Sequence, residues 1–202
     1  MVAISMNIEK HPLFPFLPKN AKVLMLGSFP PPKSRWKMDF YYPNFNNDMW
    51  RIMGLVFFGD KECFIDVSNK CFYQDKIEDF LREQGIAIFD AAKAVIREQD
   101  NASDKFLTII EPSDVSELLA QMSKCAHIIT TGEKATEILL SAHDLNPPKI
   151  GESVQLPIND KIVTLRRLPS SSRAYPLALD KKAAYYHAVF DEIFDLDEDF
   201  LD

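Results

Sequence analysis

Residues 22–36 read KVLMLGSFPPPKSRW, and this stretch decides the fold class. It contains a short continuous apolar run, residues 22–27, that ends at a glycine and is followed by three prolines. A run without polar alternation is typical of a strand buried on both faces of a parallel sheet, and glycine and proline end it. We therefore predict a buried parallel strand at residues 22–27, with a loop leaving its carboxyl end.

Similar signals recur along the chain. Further strands are predicted at residues 85–89, 127–131, 154–158 and 161–165, the last two joined as a hairpin through Asn159-Asp160. Helices are predicted at residues 47–56, 112–122, 133–142 and 177–194. Alternating strands and helices predict an α/β fold, a three-layer sandwich in which helices flank a mostly parallel central sheet of about four strands.

Length and composition predict one domain. The 202 residues are 47% hydrophobic, which suffices for one sizeable core, so we assign residues 1–194 to a single domain and residues 195–202 to an acidic, solvated tail. No apolar run reaches the roughly 18 residues of a spanning helix, and the N-terminus lacks a signal-peptide pattern. We expect a cytoplasmic monomer without a membrane partner.

Cysteine and histidine spacing predicts no metal or other cofactor. The three cysteines are odd in number and lack metal-ligand spacing, which argues against a disulfide framework and against a zinc or iron–sulfur site. The four histidines also lack a ligand partner at useful spacing, so structural or surface roles are predicted for His11, His127, His143 and His187.

Charge is distributed unevenly. The net charge of −7 alone disfavours a nucleic-acid partner, but seven of the 30 acidic residues lie in residues 191–202, and the remaining 23 balance the 23 lysines and arginines. Residues 11–38 and 161–173 contain basic residues and no acid. These basic segments are either ordinary solvated surface or contacts for an anionic ligand.

Each basic segment runs into a loop at a predicted strand end. In the first loop, residues 27–50, Gly27 allows close backbone approach to a ligand, and Lys33, Ser34 and Arg35 supply charge and donors. This loop also contains aromatic and amide side chains, which can stack on a flat heterocycle and read its edge, namely Tyr41, Tyr42, Asn44, Asn46 and Asn47.

The serine loop, LPSSSRAY at residues 168–175, follows the predicted strand 161–165 and precedes a helix. Hydroxyls and backbone amides at a helix start favour an anion such as phosphate, and Arg173 can pair with the same group. Alternatively, the serines only cap the helix. A cap needs one serine, so three in succession favour phosphate contact.

The order and spacing of these motifs resemble the uracil-DNA glycosylase superfamily, most closely its mismatch-specific and hypoxanthine-excising branches. The segment Gly27-Ser-Phe-Pro resembles the first family motif, and Leu168-Pro-Ser-Ser-Ser resembles the DNA-contacting second motif. The pattern Tyr41-Tyr42 with Asn44, Asn47 and Trp50 resembles a Tyr-Tyr-x-Asn-x-x-Asn-x-Phe-Trp segment of the hypoxanthine branch. The similarity runs from about residue 14 to residue 194.

The resemblance implies a DNA glycosylase acting on double- or single-stranded DNA that contains a damaged base. The target nucleotide would flip out of the helix into a base-binding pocket formed by Gly27, Ser28, Phe29 and Tyr42. The residues implied to bind DNA are Lys33, Ser34, Arg35, Pro169, Ser170, Ser171, Ser172 and Arg173. Uracil and hypoxanthine are the favoured bases.

The sequence departs from the family pattern at two catalytic positions. Phe29 stands where many members have a water-positioning Asn or Asp, and Leu168 stands where some have His or Asn. The hypoxanthine-like pattern transfers the catalytic role to Asn47, which can orient a water but cannot act as a base; Asn47 is alternatively the N-cap of the next helix. Asp39, Asp48 and Asp90 are further candidates for a catalytic carboxylate.

Three functional classes remain open from the sequence. The leading prediction is a metal-free glycosylase that hydrolyses the N-glycosidic bond of a deaminated or mismatched base. The alternatives are a DNA-binding relative that has lost catalysis with Phe29 and Leu168, and a small-molecule α/β enzyme whose serine loop binds one phosphate.

Overall fold

Strands and helices alternate along the chain. The computed structural model describes residues 7–98 and 104–196. Its strands are β1 (Ile8–Lys10), β2 (Val23–Gly27), β3 (Ile65–Asp66), β4 (Cys71–Phe72), β5 (Ile86–Asp90), β6 (Ala92–Arg97), β7 (Leu107–Pro112), β8 (His127–Thr131), β9 (Ser153–Ile158) and β10 (Lys161–Leu168). Its helices are α1 (Met49–Phe58), α2 (Gln74–Gln84), α3 (Val115–Ala120), α4 (Glu133–Leu140) and α5 (Leu179–Phe194).

A five-stranded mixed sheet forms the centre of the fold, in the order β5-β2-β8-β10-β9. Neighbouring strands from β5 to β10 are parallel, and β9 pairs antiparallel with β10. The expectation of about four mostly parallel strands is therefore wrong in strand number. The fifth strand joins because Asn159 and Asp160, both at positive φ, form a two-residue turn that folds β9 back along β10.

The parallel strands end at one edge of this sheet. Gly27, the last residue of β2, lies opposite Asp90, the last residue of β5, and Thr131 of β8 lies opposite Leu168 of β10. The first loop and the serine loop leave β2 and β10 at this edge. Parallel pairing thus brings together two loops that are far apart in sequence.

Apolar burial holds the sheet and its helices together. Residues 23–26 of β2 are completely buried, as the continuous apolar run predicts, and so are Trp50 of α1 and Phe190 of α5. A separate three-stranded sheet, β1-β6-β7, is antiparallel throughout and was not predicted from the sequence. It packs a smaller cluster that includes Phe29, Val95 and Leu107.

Within the described residues, no helix is both long and apolar enough to cross a membrane. Helix α5 ends at Phe194. The acidic tail predicted for residues 195–202 lies, from residue 197 onward, outside the described residues.

Candidate active site

A cavity of about 560 Å³ lies at the carboxyl edge of the parallel strands. Gly27, Asp90 and Thr131, from the ends of β2, β5 and β8, line it together with residues of the first loop and the serine loop. The two loops also join directly, because Asn47 and Ser172 form an isolated antiparallel bridge. One cavity is therefore shared by the two segments that the sequence singled out.

Most of the predicted site residues lie around this cavity. Those that line it are Gly27, Ser28, Phe29, Arg35, Tyr42, Asn47, Ser170, Ser171, Ser172 and Arg173. Lys33, Ser34 and Pro169 are not among its lining residues. Lys33 pairs with Asp39 on the exposed surface at 2.6 Å, and the Pro169 carbonyl accepts a hydrogen bond from the buried Tyr186 hydroxyl at 3.0 Å.

Tyr42 is held rigidly in the cavity wall. Its backbone has a φ of 51°, in the left-handed region that side-chain-bearing residues rarely adopt. Its hydroxyl is 2.8 Å from Thr131 Oγ1, and its ring meets the Trp50 ring edge-on. Burial, followed by the charge of Asp90, raises the pKa of Tyr42, so the hydroxyl stays protonated.

Asn47 combines a local structural contact with a position in the cavity. Its Oδ1 accepts a hydrogen bond from the Met49 N–H at 2.9 Å, which satisfies an amide at the start of α1. In the described part of the chain, no hydrogen bond engages its Nδ2. The N-cap residue of α1 is Asp48, one position after the Asn47 that the sequence offered as the alternative N-cap. Asn47 therefore makes its capping contact from the preceding position, through its oxygen, and keeps an amide donor for a ligand or water.

Asp48 fastens the serine loop to α1. Its Oδ1 accepts from Arg173 Nε at 2.9 Å and its Oδ2 from Lys182 Nζ at 3.2 Å, while Lys182, only 1% exposed, also donates to the Ser172 carbonyl. The Asp48 N–H donates to the Ser171 carbonyl. This buried network fixes the loop relative to Asn47.

The three carboxylates considered from the sequence occupy different environments. Asp39 is exposed and paired with Lys33, and Asp48 is buried in the network with Lys182. Only Asp90 among the three lines the cavity. Its Oδ2 lies 2.8 Å from Nε2 of His11, a histidine for which the sequence indicated only a structural or surface role.

A fourth carboxylate was missed by the sequence analysis. Asp104 lines the cavity, and its Oδ1 accepts a hydrogen bond from Ser28 Oγ at 2.7 Å. Burial raises the pKa of Asp104, as does the nearby charge of Asp90, whereas the Ser28 hydrogen bond lowers it. Asp104 is 76 residues from Ser28 in the sequence, so no local sequence motif could predict this hydrogen bond.

Phe29 and Leu168 serve packing. Leu168 is completely buried in the main core, and Phe29 meets the His11 ring edge-on at a centroid distance of 5.4 Å. Neither side chain can polarise water. Over residues 7–98 and 104–196, no group of three or more His, Cys, Asp or Glu side chains is arranged to hold a metal ion.

Of the comparisons with known proteins, the one with solved structures found similarity. No protein-family model and no curated protein matches the chain. Among solved structures, the chain is similar to the solution NMR structure of a candidate uracil DNA glycosylase from Methanosarcina acetivorans, with 25% sequence identity and a TM-score of 0.60. The match covers 93% of this chain and 99% of that chain. It supports the uracil-DNA glycosylase superfamily as the class to which this fold points.

Proposed function

We propose that the protein is a DNA glycosylase that hydrolyses the N-glycosidic bond of a deaminated or mismatched base, with uracil and hypoxanthine as the favoured substrates. The observation that carries the proposal is that the first loop, with its aromatic and amide side chains, and the serine loop, with Arg173, line the same cavity. The similarity to the Methanosarcina acetivorans structure supports the same class. The Tyr-Tyr and asparagine pattern favours the hypoxanthine-excising branch.

The cavity suits a flipped nucleotide. The base would stack on Tyr42, while the serine loop and Arg173 hold the adjacent phosphates. Arg173 is suited to this role because Asp48 contacts only its Nε and its side chain is about half exposed. The protein would act as a monomer, in the cytoplasm, on double- or single-stranded DNA.

Catalysis would rest on positioning and electrostatics. The Asn47 Nδ2 amide would orient a water toward the sugar carbon as the glycosidic bond lengthens. Hydrogen-bond donors around the cavity would stabilise the departing anionic base. Because this route needs no strong general base, Phe29 and Leu168 do not preclude it.

DNA binding and base release together test the proposal. A labelled duplex containing uracil or hypoxanthine is expected to bind with an affinity that falls steeply with salt, because phosphate contacts release counterions. Alkali treatment should then cleave the labelled strand at the damaged base. Salt-sensitive binding without cleavage would indicate a relative that has lost catalysis, and absence of DNA binding would favour the small-molecule alternative.

Replacing Gly27 by alanine should impair the site directly. The added Cβ would lie 2.3 Å from Asp90 Oδ1 and 3.3 Å from the Tyr42 hydroxyl, so the carboxylate must move. We expect base release to slow by about 10- to 100-fold, the scale of an ångström-sized misplacement. Single-turnover kinetics would measure this, and an unchanged rate would show that the space beside Gly27 is not used.

A further inference from the structure

Asp104 places a carboxylate in the cavity from outside the two motifs on which the family resemblance rests. It follows β6 and precedes β7, and its Oδ1 accepts a hydrogen bond from Ser28 Oγ at 2.7 Å. Phe29, the residue after Ser28, packs in the small cluster with Val95 and Leu107. The motif position at Phe29 is therefore apolar, and a carboxylate from a distant part of the chain is hydrogen-bonded to the residue beside it.

One oxygen of Asp104 is available to a ligand or water. The residue is half-buried and lines the cavity. Among the described residues, Ser28 is the hydrogen-bond partner of Oδ1, and neither a hydrogen bond nor an ion pair engages Oδ2. A carboxylate with a free oxygen can accept a hydrogen bond or a proton. Oδ2 is thus an unoccupied acceptor in the cavity wall.

Asp104 also borders a second cavity, of about 520 Å³. Asp104, Ser170 and Tyr175 line both cavities, so the two cavities adjoin at these residues. The other lining residues of the second cavity are mostly charged and include Lys105, Glu133, Lys134, Glu137 and Arg167. A cavity of this size and polarity can hold water. A nucleotide that fills the first cavity would therefore leave Asp104 a supply of water from the second.

Hydrolysis of an N-glycosidic bond requires an acceptor for one proton. The bond between the sugar C1′ and the base nitrogen breaks with its electron pair leaving on the base, and the sugar gains positive charge. The water oxygen then bonds to C1′ while the water loses a proton. Asn47 can orient that water, but its neutral amide cannot take the proton. A carboxylate beside the sugar can take it and can also offset the positive charge.

We propose that Asp104 is a catalytic carboxylate of this cavity, whose Oδ2 accepts the proton of the attacking water and whose charge stabilises the cationic sugar. The inference rests on the proposed glycosylase function, and it adds a base to the amide donor that Asn47 supplies. The proton passes on to the departed base anion or to water, so the step needs no further reactant.

The surroundings of Asp104 give this role a pH signature. Burial raises its pKa, and the charge of Asp90 on β5 adds to the rise. The Ser28 hydrogen bond and the charges of Lys134 on α4 and Arg97 on β6 oppose it, and the net pKa is raised. As the pH falls, Asp104 should be protonated above the usual carboxyl range, and base release should slow with it. Ser28→Ala removes a contact that lowers the pKa, so the same loss should occur at a higher pH.

Single-turnover rates of base release across pH test the inference on duplexes that contain uracil or hypoxanthine. Asp104→Asn preserves the side-chain volume but cannot accept the proton, so it should slow release by at least about 100-fold at neutral pH, the lower end of general-base effects. Its remaining rate should lack the acidic loss of the wild type. Its affinity for a duplex with uracil on a 2′-fluorinated sugar, which resists cleavage, should stay within about 3-fold, because the lost interaction belongs to the transition state.

Two further variants complete the experiment. Asp79→Asn makes the same change at an exposed acid of α2 that pairs with Arg82, and it should keep the wild-type rate and pH profile. Ser28→Ala retains Asp104 and is read by the position of its acidic loss, so it tests the inference even if Asp104→Asn does not fold. An acidic loss that stays at the wild-type pH in Ser28→Ala would contradict the role of Asp104.

The outcomes separate this inference from the function on which it rests. A wild-type protein that releases no base from any of the duplexes would refute the proposed function and this inference with it. If the wild type releases base and Asp104→Asn retains its rate or its acidic loss, the function stands and the role of Asp104 is wrong. If Asp104→Asn loses affinity for the uncleavable duplex as much as it loses rate, Asp104 serves binding or structure and the inference is also overturned.

Discussion

Replacement of Asn47 by alanine is expected to slow base release by about 100-fold or more, because the cavity loses the amide that orients the water and supplies a donor. The same change removes the cap on the Met49 N–H and should cost about 1 kcal/mol of stability. Single-turnover rates and denaturant unfolding would measure the two effects separately.

Asn47→Ser is the matched variant that separates capping from catalysis. A serine hydroxyl can accept from the Met49 N–H but cannot replace Nδ2. We expect it to unfold within about 0.5 kcal/mol of the wild type and still to lose most of the activity. If Asn47→Ser retains the wild-type rate, the residue is only a cap and the water-orienting role must lie elsewhere.

Asp48→Ala should produce the largest loss of stability. It would leave the ammonium group of Lys182, 1% exposed, with the Ser172 carbonyl as its remaining hydrogen-bond partner among the described residues. Breaking a buried ion pair in this way typically costs about 3–5 kcal/mol. The serine loop would also lose its attachment through Arg173. Chemical denaturation would give the stability change, and the salt dependence of DNA binding would report on the loop.

The double variant Asp48→Ala/Lys182→Met identifies the mechanism of that loss. Removing the stranded charge should recover part of the stability, because most of the cost arises from an unpaired buried charge. Recovered stability with weak DNA binding would show that the network positions the serine loop. A double variant no more stable than Asp48→Ala would contradict the ion-pair explanation.

The sequence predicted the parallel part of the fold because its strands are continuous apolar runs. Residues 23–27 and 86–90 have no polar alternation, and the structure buries every residue in both strands. Helix α2 was missed because only Ile77, Phe80 and Leu81 of its eleven residues are buried, so its polar sequence resembles a solvated loop. Strand β6 begins with Ala92 and contains Ala94, small residues that give a weak strand signal.

The candidate site was predictable where it depends on loops at strand ends. Parallel strands deliver their carboxyl ends to one edge, so the first loop and the serine loop were expected to meet. Pairs between distant residues were not predictable: His11 is 79 residues from Asp90, and Lys182 is 134 residues from Asp48. A single sequence contains no signal for either contact. Both contacts pair a carboxylate that only the folded chain buries.

Direct detection of the released base tests the central claim most closely. Protein in excess would be incubated with duplexes containing uracil, hypoxanthine, xanthine or a G·T mismatch, and free base and abasic strand would be quantified by mass spectrometry. We predict free uracil or hypoxanthine in an amount equal to the abasic strand, with little of either from Asn47→Ser. Intact strands from every duplex, under conditions in which the protein binds them, would contradict the assignment of this cavity to glycosidic-bond hydrolysis.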